Sequence, residues 1–220
     1  MAESRERLIE IVAGSVQNRR VLDAMRRVPR ELFVPEPLAG FAHEDAPLPI
    51  GEGQTISQPT IVGVMTEALR LRPADRVLEV GTGSGYQAAV LAQLAAEVVS
   101  VEVHDSLRER AGKLLDSLGI RNVRLRAASE ELGAPDEAPF DAIIVTAAAA
   151  EVPEPLLRQL RVGGRMVIPV GDRESQDLLL VTRTERGHRR ESLGGCRFVP
   201  LVGPGGLVQR PGGEPPASSA

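Results

Sequence analysis

Ten residues constrain this chain more than any others: Val77-Leu78-Glu79-Val80-Gly81-Thr82-Gly83-Ser84-Gly85-Tyr86. An apolar run ends in an acid and breaks into alternating glycines. A helix-like segment follows, Gln87-Ala88-Ala89-Val90-Leu91-Ala92-Gln93-Leu94. Strand, tight turn and helix start, in that order, form the unit in which α/β proteins hold a nucleotide-like ligand. Glycine is needed where the backbone bends sharply and approaches a ligand with no Cβ in the way. The order here is G-x-G-x-G rather than the dinucleotide G-x-G-x-x-G, and Tyr86 stands where the third glycine would fall. No G-x-x-x-x-G-K-[ST] occurs, which argues against a P-loop. The turn alone leaves open another nucleotide-type cofactor, an NAD-type site, or a turn that binds nothing.

The rest of the chain supplies a rhythm for that turn. Residues 1–28 place apolar side chains at helical spacing (Leu8, Ile11, Val12, then Val21, Leu22, Met25), which predicts two short helices. Pro29 to Pro49 reads as an irregular segment lying across a surface, and Gly51 to Gln58 as a polar loop. A helix is expected from Pro59. Strands then alternate with helices: 76–80, 98–103, 123–127, 140–146 and 165–170, with helices over 107–115 and 155–160. Segments 178–184 and 191–202 read as closing antiparallel strands around Gly187. The pattern predicts an α/β fold, a doubly wound, mostly parallel seven-stranded sheet with helices on both faces. Three parts are expected: an N-terminal helical segment and loop (1–58), a cofactor-binding core (59–202) and a disordered glycine- and proline-rich tail (203–220).

Composition narrows the partners. A net charge of −4 gives no general attraction to nucleic acid or anionic membrane, and 2% aromatic residues offer no base-stacking platform. The single cysteine, Cys196, cannot form an internal disulfide, which fits a reducing, cytoplasmic compartment. No apolar run reaches membrane-spanning length. His43, His104 and His188 are scattered, so no metal site is expected.

Two further stretches carry chemistry. Glu102 ends the second core strand, about 20 residues past the glycine turn, the spacing at which an acid reaches ribose hydroxyls. A carboxylate can accept from both of two vicinal hydroxyls; the plainer alternative is a solvated charge at a strand end. Pro47-Leu48-Pro49-Ile50-Gly51-Glu52-Gly53-Gln54-Thr55-Ile56-Ser57-Gln58-Pro59 sets two hydroxyls beside a helix start. Thr55 and Ser57 are therefore candidates for a helix N-cap as well as for a functional loop.

At this point the sequence resembles a known family. The run E-V-G-T-G-S-G is similar to the first motif of S-adenosylmethionine-dependent methyltransferases. P-L-P-I-G-E-G-Q-T-I-S-Q-P resembles the signature loop of protein-L-isoaspartate (D-aspartate) O-methyltransferases. V-P-R-E-L-F-V-P-E (28–36), V-L-E-V-G-T-G-S-G-Y-Q (77–87), F-D-A-I-I-V-T-A-A (140–148), G-G-R-M-V-I-P-V-G (163–171) and R-F-V-P-L (197–201) resemble the family in the same order. The likeness spans roughly residues 20–202.

The resemblance implies a cofactor, S-adenosyl-L-methionine, released as S-adenosyl-L-homocysteine. It implies a substrate class, isoaspartyl peptides and proteins, handled by a monomer. It places Glu79, Gly81, Thr82, Gly83, Gln87, Glu102 and Ser129 at the cofactor. It gives Ser57 the catalytic contact with the substrate carboxylate, with Thr55 and Ile56 shaping that pocket. Apart from the resemblance, Val199 in the apolar run Phe198-Val199-Pro200 is a candidate for holding an extended peptide by strand-like pairing. Two places depart from the family. Thr60 stands where the family often has a larger aromatic or imidazole side chain. Where the family carries a G-D-G turn with an adenine-contacting aspartate, this chain has Ala127-Ala128-Ser129-Glu130. Serine can hydrogen-bond there, without the charge assistance that roughly doubles such a bond.

No [DN]-P-P-[YF] run follows the fourth core strand, unlike adenine-directed enzymes, and no acids cluster there as in metal-dependent catechol-type enzymes. Two further readings stay open beside repair: a dedicated aspartate methyltransferase for a natural-product peptide, and a non-catalytic binding module.

Overall fold

The computed structural model describes residues 2–202. The expected disordered tail lies outside them. Two helices open the chain, α1 (Ala2–Ala13) and α2 (Arg19–Arg27). Asn18 starts α2 by accepting from the Arg20 amide with its side chain, satisfying a donor that has no partner inside the helix. Residues 29–47 then form two 3₁₀ turns, Arg30–Phe33 and Glu36–Phe41. This segment does not simply lie across a surface as its prolines suggest. Phe33, Val34 and Ala42 are buried in the same core as the sheet, so it is an embedded strap.

The expected polar loop is a hairpin, β1 (Leu48–Gly51) and β2 (Gln54–Ile56), paired antiparallel. Its two-residue turn, Glu52-Gly53, takes positive φ at both positions (54° and 68°), the twist that matches flanking strands. Helix α3 (Pro59–Leu69) follows with Pro59 in its first turn, where a missing N–H costs nothing. Its N-cap is Gln58, which makes no side-chain cap bond; neither Thr55 nor Ser57 caps the helix. The capping acceptor comes from the strap instead: Asp45 Oδ1 accepts from the Thr60 amide at 2.8 Å.

The core then runs β3 (Arg76–Val80), α4 (Tyr86–Ala92), β4 (Glu97–Glu102), α5 (Asp105–Ser117), β5 (Val123–Ala127), β6 (Phe140–Val145) and α6 (Glu154–Gln159). Three strands close it: β7 (Leu160–Gly171), β8 (Gln176–Thr184) and β9 (Gly187–Cys196). The sheet order is β5-β4-β3-β6-β7-β8-β9. The first five strands are parallel neighbours; β8 and β9 pair antiparallel. Alternation along the central strands feeds two cores. Val77, Val98 and Ile144 face the layer holding α1 to α5, while Leu78, Val99 and Ile143 face α6 and the segment around Leu132.

The last expected strand is corrected. β9 ends at Cys196, and residues 197–201 leave the sheet edge. They return across the carboxyl end of β6, where the Ala148 amide donates to Val199 O and the Leu201 amide donates to Ala148 O, each at 2.8 Å. Pro200, which has no N–H to give a ladder, sits between these two bonds.

Candidate active site

Core strands diverge around β3: the chain goes to β4 on one side and returns to β6 on the other. Ligands of open α/β sheets bind outside the carboxyl ends of the strands at such a switch point. A cleft opens there. Its floor is the glycine turn, with Gly81, Thr82 and Gly83 in the lining. One wall carries Glu102, Val103 and His104 from the end of β4, and Ser129 from beyond β5. The hairpin brings Thr55, Ile56 and Ser57 over the opposite side, and the returning segment adds Val199. Residues distant in sequence but expected together do meet here.

Glu102 is 5% exposed, and its carboxylate organises the turn. Oε2 accepts from the Gly83 amide at 2.8 Å; Oε1 accepts from the amides of Val103 (2.9 Å) and His104 (3.0 Å). A carboxylate has about four acceptor positions, so roughly one remains, on Oε2. This is no solvated strand-end charge. Gln87, buried at the start of α4, donates from Nε2 to Thr66 Oγ1. Ser129 is exposed; its hydroxyl donates to Glu131 O at 2.9 Å, leaving lone pairs to accept from an amino group.

Glu79 differs from its sequence expectation in place. It does not line the cleft but lies behind the turn, fully buried. It is the register partner of Ser100 on β4. Ser100 Oγ donates to Glu79 Oε2 at 2.5 Å and lies 2.6 Å from Thr82 Oγ1, so Glu79 reaches the cleft only through two hydroxyls. Glu79 Oε1 is buried with no partner. Burial raises its carboxyl to about 8; the Ser100 hydrogen bond pulls the other way, and the charge of Glu102 adds to the rise.

That shift has a consequence for stability. An ordinary glutamate ionises near 4.5, the folded one near 8. Between those values the folded chain holds a proton the unfolded chain has lost, so this group's contribution falls as pH rises through the window. Glu79→Gln keeps a neutral side chain and removes the slope. Across that window wild type should lose on the order of a few kcal/mol relative to the variant, read from urea midpoints. Parallel midpoints would mean that Glu79 is ionised throughout.

Thr146 was not picked out from sequence. Its hydroxyl donates to Gly81 O at 2.7 Å and lies 3.1 Å from Val80 O, pinning the turn to the end of β6. The signal was present: a hydroxyl directly after an apolar strand adjacent to β3 lies at the switch point. His104, Leu132 and Gly133 also line the cleft without having been singled out.

The lining fits a nucleoside cofactor. A glycine turn gives close approach, and Glu102 keeps acceptor capacity for a ligand hydroxyl. Fold and cleft together define an S-adenosylmethionine-dependent methyltransferase. A sequence model of the protein-L-isoaspartate(D-aspartate) O-methyltransferases matches residues 3–205. Protein-L-isoaspartate O-methyltransferase 1 of Syntrophobacter fumaroxidans is 54% identical over 203 residues, covering 91% of this chain and 95% of that one. The Methanoculleus marisnigri protein-L-isoaspartate O-methyltransferase is 54% identical over 201 residues, covering 90% and 91%. A solved protein-L-isoaspartate O-methyltransferase superposes with a TM-score of 0.80 at 30% identity, covering 93% of this chain and 67% of that chain. A second, described as the Plasmodium falciparum enzyme in complex with S-adenosyl-L-homocysteine, gives 0.77 at 26% identity, covering 89% and 96%. The chain belongs to the protein-L-isoaspartate(D-aspartate) O-methyltransferase family.

Proposed function

We propose that this protein methylates the free α-carboxylate of L-isoaspartyl residues in damaged peptides and proteins, the step that starts their repair through a succinimide. One observation carries the reading beyond family membership: the Ser57 hairpin and the glycine turn wall one cleft. A substrate carboxylate can therefore meet a cofactor there. The cofactor, when bound, supplies an electrophilic methyl group on a sulfonium.

The chain's own residues have modest work. The substrate carboxylate is ionised near neutral pH, since carboxyl groups titrate at about 3.3–4.3. It is already a nucleophile, so transfer needs no general base. Ser57 would donate to one carboxylate oxygen and leave the other aimed for transfer. Thr55, Ile56 and Val199 would exclude water from the nucleophile. Gly81, Thr82, Gly83 and Gln87 would hold the methionine end, Glu102 the ribose and Ser129 the adenine. Glu79 would act through Ser100 and Thr82. Transfer would join the methyl to the carboxylate oxygen and free it from the sulfonium sulfur, leaving a neutral ester and a neutral thioether, so no residue has to move a proton. The ester then loses methanol as the following backbone nitrogen closes the ring, and water opens the succinimide partly to normal aspartate.

In this reading residues 1–58 serve the substrate and 59–202 the cofactor. The protein acts as a cytoplasmic monomer, where Cys196, whose thiol burial pushes up to about 11 beside the charge of Asp177, stays an inert thiol. Among the described residues no helix is long and apolar enough to cross a membrane.

The test is transfer of labelled methyl from S-adenosylmethionine to matched isoaspartyl and aspartyl peptides. Base-labile label on the isoaspartyl peptide alone is expected; label on neither would end the proposal. Ser57→Ala should lower kcat by roughly tenfold or more, the worth of one charge-assisted hydrogen bond, with S-adenosylhomocysteine affinity unchanged. Equal loss of both would make Ser57 a structural residue of the turn.

A further inference from the structure

We infer that Arg30 and Asp45 form a clamp that positions Ser57 for methyl transfer. The inference rests on the assignment of Ser57 to the substrate made above. Arg30 is 2% exposed, a costly place for a guanidinium. Its donors end on loop carbonyls. Nε donates to Ala42 O at 2.9 Å, Nη2 to Ala46 O at 3.0 Å and Nη1 to Ser57 O at 3.1 Å. Two of these acceptors belong to the strap, and the third belongs to the residue that faces the substrate.

The same guanidinium stacks on the cofactor side of the site. Its carbon lies 5.3 Å from the centroid of the Tyr86 ring, and Tyr86 is the first residue of α4 after the glycine turn. Phe33 closes on that ring edge-on, with centroids 5.5 Å apart at 68°. Arg30 thus ties the Ser57 hairpin to the helix that follows the cofactor turn. Asp45 holds the other flank of Ser57. Its Oδ2 accepts from Gln58 Nε2 at 2.9 Å and from Thr60 Oγ1 at 2.8 Å, and its Oδ1 accepts from the Thr60 amide.

A residue needed only for packing would be apolar here, because burying a charge costs several kcal/mol before its bonds are counted. What an arginine adds is a rigid fork that reaches several carbonyls at once. A lysine ammonium is a point charge and cannot span them. The clamp fixes the backbone of Ser57, so it acts on transfer through Ser57 and does not touch the substrate.

The experiment compares wild type, Arg30→Lys, Ser57→Ala and the double variant for kcat/KM on an isoaspartyl peptide. Calorimetry with S-adenosylhomocysteine is run on each. Arg30→Lys should lower kcat/KM by roughly tenfold, about as much as losing the Ser57 hydroxyl itself, with S-adenosylhomocysteine affinity held within about twofold. Ser57→Ala should then cost little more in the Arg30→Lys background, since both act on one contact. Full retention of kcat/KM in Arg30→Lys, or effects that multiply in the double variant, would overturn the clamp. If Arg30→Lys fails to bind S-adenosylhomocysteine, the same cycle with Asp45→Ala decides: coupling to Ser57 supports the clamp and independence overturns it. A wild type without methyl transfer would defeat the proposed function rather than the clamp. Amide exchange over residues 52–58 then reads the clamp directly, faster in Arg30→Lys if it holds and unchanged if it does not.

Discussion

Replacing Glu102 with alanine is expected to weaken S-adenosylmethionine binding on the order of 10²-fold, with a loss of turn order as well. The carboxylate has two tasks. It accepts from the Gly83, Val103 and His104 amides, which fixes the turn and the start of the segment into α5. Its remaining acceptor capacity on Oε2 is what a ribose hydroxyl would use. Alanine would remove the acceptor offered to a ribose hydroxyl and leave three amides to find water. Glu102→Gln separates the tasks. Its amide oxygen can serve the two amides now bonded to Oε1, but its NH₂ cannot accept from Gly83 or a hydroxyl. Calorimetry on both variants checks this: alanine should be the worse, and unaltered affinity in both would take Glu102 out of the binding site.

Gly81→Ala should be worse for the fold itself, costing roughly 2–4 kcal/mol of stability along with cofactor binding. Gly81 has φ +99°, a conformation that side-chain-bearing residues rarely adopt. A Cβ there would also stand well inside contact distance of Thr146 Oγ1. That hydroxyl cannot swing away cheaply, because it donates to Gly81 O and sits on a β-branched side chain. Thr146→Ala in the Gly81→Ala background should recover the steric part and leave the backbone part. Urea midpoints of the single and double variants measure the division; a Gly81→Ala protein as stable as wild type would refute the argument.

The central strands could be read from sequence because strands covered on both faces are apolar at nearly every position, as in Phe-Asp-Ala-Ile-Ile-Val at 140–145. The hairpin could not. Its strands have four and three residues, one contains Pro49, and only Ile50 and Ile56 are buried. The run after Cys196 is apolar enough to extend β9, yet its partner is the segment beyond β6, a long-range choice that local pattern does not encode. Arg30 was illegible for a similar reason. An arginine amid prolines and acids reads as a solvated charge, and only the folded strap shows that carbonyls surround it. Glu79 was placed at the cofactor from its motif, and the structure sets it behind the turn, joined to the cleft through Ser100 and Thr82. Alternation already held that placement, since Glu79 shares the face of Val77, beneath the helical layer.

The returning segment at 197–201 bears on how the enzyme comes into being. Chains emerge from the ribosome amino end first, and domains begin to fold as they emerge. The glycine turn, Glu102 and the Ser57 hairpin are all made before α5. Val199 and Leu201, which wall the cleft, follow only after β9. A nascent or prematurely terminated chain stopping at Cys196 would carry the whole ladder through β9 and yet present an open trough in place of a pocket. Competence for chemistry is therefore conferred late, after the scaffold already exists.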